Sequence, residues 1–174
     1  NIYLVDGFKI RKVTPAGVVT TLAGSGLYGS ADGTGSSASF SSMNSLTIDN
    51  SGNIYLADGY KIRKVSPTGV VTTLAGSSPI YKDGIGSVAR FNDIREIIFD
   101  SYGNIYAAES NKIRKVSPAG EVTTLAGSEV WGSIDGTGSA ATFSSLSSLT
   151  IDSSGNIYIA DGYKIRKVTS AGVV

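Results

Sequence analysis

Short stretches in which hydrophobic and polar residues alternate recur along the chain. SLTID at residues 45–49 alternates apolar and polar positions, and NIYLAD at 53–58 is rich in β-branched and aromatic side chains. KIRKV at 61–65 and VVTTLA at 70–75 follow. A period of two residues predicts strands, which we call A, B, C and D in this order, and no long helix.

This four-strand unit is repeated. Asn-Ile-Tyr begins at positions 1, 53, 104 and 156, which gives a period of 51 or 52 residues. The difference falls in the segment from Gly76 to Asp83, which is one residue shorter than its counterparts. We expect one repeat array with units at about 1–52, 53–103, 104–155 and, in part, 156–174.

Tight turns join the strands into an antiparallel meander. In DGYK at 58–61, Gly59 suits the first central position of a two-residue turn, and Asp58 and Lys61 are expected to pair across it. The third copy reads ESNK, so Ser110 predicts a different turn type there. Glu109 and Lys112 would keep the charge pair.

Both faces of such a meander need cover. Ile54 and Leu56 fall on one face, whereas Ala57 and Ile62 fall on the other. The next copy of the same unit can cover each face, which predicts an all-β fold: a β-propeller of four-stranded antiparallel blades, with about three and a half blades present. A solenoid of parallel coils is the alternative, but its repeats are usually shorter.

The repeat resembles the NHL-repeat family. GNIYLADGYKIRKVSPTGVVTTLAG at 52–76 is similar to that family's G-N-[IV]-Y-V-A-D, I-R-K and G-x-V-x-T-x-A-G progression, and the likeness covers essentially the whole chain. The Asn-His-Leu tripeptide is absent, and the B–C turn is shorter than in usual members. The resemblance implies a propeller. Some NHL propellers bind RNA, and some propellers that resemble the family are lyases or hydrolases with a metal held by histidines.

The order of strands bears on closure of the ring. The first copy begins at strand B, and the last one ends at the start of strand D. Because propellers need about four to eight blades, we expect these residues to belong to a larger ring. An open arc whose edge strands pair with neighbouring chains is the alternative.

Composition narrows the possible chemistry. The chain has no Cys and no His, so disulfides, thiolate metal sites and His-assisted nucleophiles are excluded, and we predict no enzymatic activity and no cofactor. A net charge of +1 argues against strong non-specific nucleic-acid binding, and no membrane span is visible. Abundant Gly, Ser and Thr with 17% charged residues suit an extracellular or cell-surface bacterial protein.

The basic residues are concentrated in strand C. The four KIRK copies hold 12 of the 15 Lys and Arg residues. One interpretation is a charged ladder that pairs with Asp6, Asp58, Glu109 and Asp161 and with solvent. The other is a phosphate-binding stripe repeated around the ring, although one cluster per blade does not make a concentrated patch.

The predicted D–A loops and B–C turns lie on one side of the ring, which we call the loop face. The D–A loops, 24–40, 76–91 and 127–143, are far longer than hairpin turns. Aromatic rings on this face could stack on sugar or peptide groups, or they could only cap the gaps between blades. The candidate binding residues are Tyr28, Tyr81, Trp131, Phe8, Tyr60, Tyr163, Asp58 and Glu109.

The D–A loops also share Asp-Gly-x-Gly and Ala-x-Phe sequences. Each loop offers one carboxylate of this motif, from Asp32, Asp83 or Asp135, whereas a calcium loop needs several oxygen ligands. We therefore favour turn formation over calcium binding. Buried anchoring is the role predicted for Phe40, Phe91 and Phe143.

These observations leave three functional hypotheses. The first is a non-enzymatic interaction module that binds a protein or glycan partner through the loop face. The second is part of a propeller enzyme, a lyase or hydrolase whose catalytic residues lie in further blades. The third is a self-assembling protein that pairs through open blade edges.

Overall fold

All 174 residues are described by the structure, a computed structural model. Strands make up most of it, with three single-turn 3₁₀-helices at Gly35–Ser37, Gly86–Val88 and Gly138–Ala140. No helix has the length and apolar character needed to cross a bilayer. The strands are β1 (Ile2–Asp6), β2 (Lys9–Val13), β3 (Val19–Ala23), β4 (Gly33–Thr34), β5 (Met43–Ile48), β6 (Ile54–Asp58), β7 (Lys61–Val65), β8 (Val70–Ala75), β9 (Gly84–Ile85), β10 (Glu96–Phe99), β11 (Ile105–Ala108), β12 (Lys112–Val116), β13 (Glu121–Gly127), β14 (Leu146–Ile151), β15 (Ile157–Asp161) and β16 (Lys164–Val168).

The strands form four antiparallel sheets in chain order. Strands A, B, C and D of the second sheet are β5, β6, β7 and β8, and those of the third are β10, β11, β12 and β13. The first sheet contains B, C and D as β1–β3, and the fourth contains A, B and C as β14–β16. The predicted meander is therefore confirmed, although strand A of the second sheet begins at Met43, two residues before the predicted start.

The A strands of neighbouring sheets lie next to one another. The Ile97 amide in β10 donates a hydrogen bond of 3.2 Å to Ser45 Oγ in β5. The Leu149 amide in β14 donates one of 2.9 Å to Glu96 Oε2 in β10. Sheets that meet along their A strands and diverge towards strand D fan about a shared axis, so the predicted β-propeller architecture is confirmed.

The core lies between the sheets. Ile54 and Leu56 pack towards the first sheet with Ile10 and Phe40, and all four are fully buried. On the other face of the second sheet, a second cluster joins Ala57 and Ile62 to Phe91, Ile97 and Ile105 of the third. Successive side chains of one strand point to opposite faces of the sheet and thus fill two different gaps between sheets, as the two-residue period predicted.

The outer faces of the first and fourth sheets are less covered. Ile2 in β1 is 67% exposed and Ile165 in β16 is 73% exposed. Their counterparts in the second sheet, Ile54 and Ile62, are fully buried. The same repeat position is therefore a core residue where a neighbouring sheet covers it and an exposed apolar residue where none does.

Each D–A loop crosses to the next sheet and adds backbone pairing to its D strand. Gly33 in β4 pairs with Val71 in β8, and the Gly35 amide donates to the Gly69 carbonyl at 2.9 Å. β9 pairs with β13 in the same way, and Thr137 forms an isolated bridge with Val173. These short fifth strands were not predicted, because two residues cannot show a hydrophobic alternation.

The B–C turns differ as expected. Gly59 has a φ of +61° and lies in the two-residue turn between Asp58 and Lys61. The non-glycine residues with positive φ are Ile80 and Asp93, so Ser110 does not take the conformation of its glycine counterparts. The turn type changes in the third sheet, as the serine predicted.

Candidate binding face

The loop face brings the D–A loops and the B–C turns together. Lys61 Nζ, at the end of a B–C turn, donates to Ser30 Oγ in the preceding D–A loop at 2.8 Å. The rings of Phe8 and Tyr28 meet edge to face with centroids 5.9 Å apart. The A–B and C–D turns lie at the opposite end of the sheets, which we call the turn face.

A buried arginine of strand C fixes each D–A loop to the following sheet. Arg63 in β7 donates to Asp58 Oδ2 at 2.7 Å and to Asp32 Oδ1 at 2.8 Å. It also donates to the Ala31 carbonyl at 2.9 Å. Its guanidinium carbon lies 5.4 Å from the centroid of the Phe40 ring. One side chain therefore joins strand B, strand C and the loop that comes from the previous sheet.

The same arrangement occurs in the next two sheets. Arg114 pairs with Glu109 at 2.9 Å and with Asp83 at 2.6 Å. Arg166 pairs with Asp161 at 3.0 Å and with Asp135 at 2.6 Å. Each guanidinium also donates to two loop carbonyls and lies over a phenylalanine ring that is fully buried, as predicted for these anchors: Arg114 over Phe91 and Arg166 over Phe143.

The burial of Asp58 and Glu109 corrects their place in the predicted binding set. Their exposed fractions are 1% and 0%, so neither carboxylate faces a partner on the loop face. Asp58 and Lys61 lie opposite each other in the strand register as expected, but the ion pair of Asp58 is with Arg63. The expected pairing of strand-C basic residues with the acids at the ends of the B strands is confirmed, with arginine as the partner in each sheet. Arg63 lies on the same side of its strand as Val65, which is the signal in KIRKV that could have identified it as buried.

The loop carboxylates are occupied by protein donors. Asp32 accepts hydrogen bonds from the amide and hydroxyl of Thr73, each at 3.0 Å, as well as from Arg63. Asp83 receives the same donors from Thr124 and Arg114. Partial burial acts to raise the pKa of Asp32, but the Thr73 hydrogen bonds and the Arg63 charge hold that pKa below its ordinary value.

Four aromatic residues of the predicted set are exposed on the loop face. Trp131 is 60% exposed and Tyr28 is 76% exposed. Tyr60 is partly exposed and Tyr163 fully so, whereas Phe8 is half-buried. Because their loops and turns are fixed by backbone pairing and by the arginines, these rings are presented from ordered backbone.

The third sheet carries its aromatic ring on the loop instead of the turn. Asn111 replaces the tyrosine found at position 60, and Tyr81 in the preceding loop lies over the turn. The Tyr81 hydroxyl donates to Asn111 Oδ1 at 2.6 Å, and Lys112 Nζ lies 3.9 Å from the ring centroid. Tyr81 is thus half-buried and held by the protein, and burial together with Glu109 raises its pKa.

Two depressions separate the exposed rings. One of about 480 Å³ lies between Tyr28 and Tyr60 and has Lys61 and several serine hydroxyls in its lining. The other, of about 340 Å³, lies between Tyr81 and Trp131. Both include Asn92, so the two depressions are adjacent on the loop face.

Glu109 predicts an unusual pH dependence of stability. Burial raises its pKa to about 7 from an ordinary 4.5, although Arg114 acts in the opposite direction. Arg114 is shared with Asp83, and Glu109 accepts just one backbone hydrogen bond, from Asn92 at 3.2 Å. Between pH 4.5 and 7 the folded state therefore binds more protons than the unfolded state, and the free energy of unfolding falls as pH rises, by on the order of 2 kcal/mol.

Urea unfolding measured from pH 4.5 to 8 checks this expectation. The carboxyls with lowered pKa, such as Asp32 and Asp161, lose their stabilising contribution at lower pH, below their ordinary value of 3.8. Glu109→Gln should abolish the decrease between pH 4.5 and 7. An equal slope in the wild type and the variant would contradict the assignment to Glu109.

Comparison with known sequences finds related segments in much longer proteins. No family model matches the chain. It is 24% identical to Teneurin-m of Drosophila melanogaster, in an alignment that covers 98% of this chain and 8% of the teneurin. It is 28% identical to Teneurin-3 of Danio rerio, covering 95% of this chain and 7% of that protein. The chain thus spans less than a tenth of the length of these relatives.

Comparison with solved structures identifies proteins of the same architecture. A protein of unknown function from Bacteroides thetaiotaomicron superposes with a TM-score of 0.74 at 26% identity, over 95% of this chain and 43% of that one. An auxiliary nutrient binding protein from Bacteroides ovatus gives 0.72 at 24% identity, with 95% and 44% covered. A streptogramin B lyase gives 0.63 at 16% identity, with 95% and 46% covered. These likenesses place the chain among propeller-type folds, of which it spans somewhat less than half.

Proposed function

We propose that this chain is an NHL-type propeller segment that acts as a non-enzymatic binding module for a protein or glycan partner. The observation that carries the proposal is the set of exposed aromatic rings, Tyr28, Tyr60, Trp131 and Tyr163, on one face of an ordered scaffold. Aromatic residues are enriched at interfaces relative to the rest of the protein surface and often contribute most to binding.

The anchored loops support binding without a large loss of conformational freedom. Each immobilised loop residue costs free energy when it becomes ordered on binding. The loop that carries Tyr28 is already ordered by Arg63 and by the Gly35 to Gly69 backbone hydrogen bond. A partner would therefore meet a preorganised surface, and more of the contact energy would remain as affinity.

The likeness to an auxiliary nutrient binding protein accords with a binding role, and the composition of the chain suits an extracellular or cell-surface location. Both are proposals for this chain, because 24% identity shows the shared fold alone. The likeness to a streptogramin B lyase also shows the fold alone and provides no catalytic residues for this chain. Binding is favoured because the loop-face carboxylates are held in hydrogen bonds by the protein itself.

The outer faces of the first and fourth sheets support a second, compatible role. Ile2 and Ile165 are exposed at positions that are buried wherever another sheet packs against them. We propose that a further sheet of the same kind covers these faces. The same protein or a second copy of it would provide this sheet, and in the second case the open ends of two arcs would meet.

A binding screen with a matched variant tests the loop face. The wild-type protein is applied to an array of immobilised glycans and to extracellular proteins, and each positive is re-measured with Tyr28→Ala/Trp131→Ala. We expect at least a tenfold loss of affinity, since exposed aromatic anchors contribute about 1–2 kcal/mol or more each.

The control variant is Ile85→Ala, which removes an exposed apolar side chain of β9. Although Ile85 belongs to a D–A loop, it pairs with Glu121 next to the C–D turn, at the end of the sheet opposite the exposed rings. Its binding should match the wild type. If the partner binds the Tyr28→Ala/Trp131→Ala protein as tightly as the wild type, the loop face is not the binding surface.

A further inference from the structure

The turn face contains a second site, in the gap between the third and fourth sheets. Between the second and third sheets, the rings of Tyr55 and Phe99 meet edge to face with centroids 4.8 Å apart. Phe99 is the last residue of strand A, and the corresponding residue of the fourth sheet is Ile151. The smaller side chain faces Tyr106, and the space that an aromatic ring fills in the previous gap is open here.

The resulting pocket has a volume of about 440 Å³. This lies within the range of roughly 300–1,000 Å³ that is typical of small-molecule sites. Its wall includes Tyr102, which is 85% exposed and occupies a position held by serine in the neighbouring repeats, Ser51 and Ser154. Ile48 holds the position of Ile151 in the second sheet, so the opening alone is not particular to this gap. The aromatic side chain of Tyr102 beside that opening is what the other gaps do not have.

The charges of the pocket argue against an ionic ligand. Asp100 accepts hydrogen bonds from the amides of Tyr102 and Asn104, from the Asn104 side chain and from the Tyr106 hydroxyl, at 2.7–3.3 Å. Asp152 is held in the same way by its own turn and by Tyr158. These carboxylates are poor ligands for a cation because protein donors occupy them. The lining holds two carboxylates and one positive charge, that of Lys115, so its net negative charge also disfavours an anion.

The remaining groups suit a neutral polyhydroxyl compound. Ser101, Ser153, Ser154 and Ser170 contribute hydroxyl groups to the lining, each able to donate and accept a hydrogen bond. Tyr102 offers a ring on which the C–H face of a sugar can stack. A neutral ligand with one apolar face and several hydroxyl groups matches both features.

We propose that this pocket binds a neutral sugar residue of a glycan. The site is on the opposite face from the loop-face aromatics and does not depend on their function. The sugar ring stacks on Tyr102, enters the space left by Ile151 and exchanges hydrogen bonds with the serine hydroxyls. The two positions that distinguish this gap from the preceding one, 102 and 151, determine whether the site exists.

The chain itself provides the test variants. Tyr102→Ser and Ile151→Phe introduce the residues that the preceding gap has at the equivalent positions, Ser51 and Phe99. Binding of maltose, cellobiose, lactose and N,N′-diacetylchitobiose is measured by saturation-transfer NMR and calorimetry, with sodium glucuronate as the charged comparison. We expect at least one neutral disaccharide to bind with a Kd on the order of 1 mM, and each variant to weaken it about tenfold or more.

The loop-face variant Tyr28→Ala/Trp131→Ala separates this proposal from the previous one. It should bind the disaccharide as the wild type does, and unchanged urea midpoints for Tyr102→Ser and Ile151→Phe confirm that both variants fold. The proposal is overturned if none of the four disaccharides binds at millimolar concentration, if glucuronate binds more tightly than they do, or if both turn-face variants retain full affinity.

Discussion

Replacing Arg63 with methionine should destabilise the protein by about 3–5 kcal/mol, because the substitution leaves a buried carboxylate without its cation. Arg63 and Asp58 are both fully buried, and their atoms lie 2.7 Å apart. The variant also removes the hydrogen bonds from Arg63 to Asp32 and to the Ala31 carbonyl, so the loop loses its attachment. Urea unfolding followed by circular dichroism measures the loss as a lower transition midpoint.

The first repeat contains a matched control. Arg11 occupies the same repeat position, but its contact with Asp6 is 3.3 Å long and both side chains are partly exposed. Arg11→Met should therefore cost no more than about 1 kcal/mol. Equal losses in the two variants would show that burial and loop attachment are not what makes Arg63 important.

Gly76→Ala is expected to destabilise the protein by about 3 kcal/mol. Gly76 has a φ of +96°, which L-residues rarely adopt. A Cβ atom there would overlap the Tyr60 carbonyl oxygen and lie 2.9 Å from Cδ2 of Phe91. Backbone at the base of the loop would have to move, and Phe91 with it. Thermal and urea midpoints give the size of the loss.

Gly86→Ala separates the close contact from the unfavourable dihedral angle. Gly86 has a φ of +56°, but no atom lies within 4 Å of an added Cβ. We expect a cost of about 1 kcal/mol, due to the backbone conformation alone. A loss as large as that of Gly76→Ala would indicate that the contact at Gly76 contributes little.

The regular part of the fold could be predicted from the sequence because it depends on local patterns. Alternating apolar residues locate strands such as β6 and β7, and Asp-Gly pairs locate the turns between them. The repeat then indicates what covers each face, since Ile54 and Ile62 need different neighbours. Nothing in these inferences requires knowledge of side-chain contacts over long distances.

The pairing of the strand-C arginines with the strand-B acids was one of the two interpretations of the sequence, but their attachment to the D–A loops could not be predicted in the same way, because the loop partners are distant in sequence. Arg63 and Asp32 are 31 positions apart, so no local pattern connects the arginine to the loop. For the same reason, sequence reasoning placed Asp58 and Glu109 on the binding surface. The available clue was that the strand-C arginine, the strand-B acid and the loop aspartate recur in every complete repeat. That clue becomes informative once the loop is known to cross to the next sheet.

The candidate binding sites show a similar division. The aromatic residues of the loops could be found from the sequence. Whether a ring is exposed, as Trp131 is, or held against the protein, as Tyr81 is, depends on contacts that the sequence does not reveal. The turn-face pocket was missed because it depends on Tyr102 and on Ile151, which is smaller than Phe99. Such a difference matters only when both side chains are seen against the neighbouring tyrosine.

A buried arginine attaches each D–A loop to the next sheet. Hydrogen exchange at the loop amides tests this attachment most directly. In the wild type, the Gly35 and Gly86 amides should be protected to a degree similar to strand amides, because they donate to the Gly69 and Gly120 carbonyls. In Arg63→Met, the Gly35 amide should lose more protection than the Gly86 amide, whose protection falls only as far as global stability does. Rapid exchange of Gly35 in the wild type, or unchanged protection in the variant, would contradict the claim.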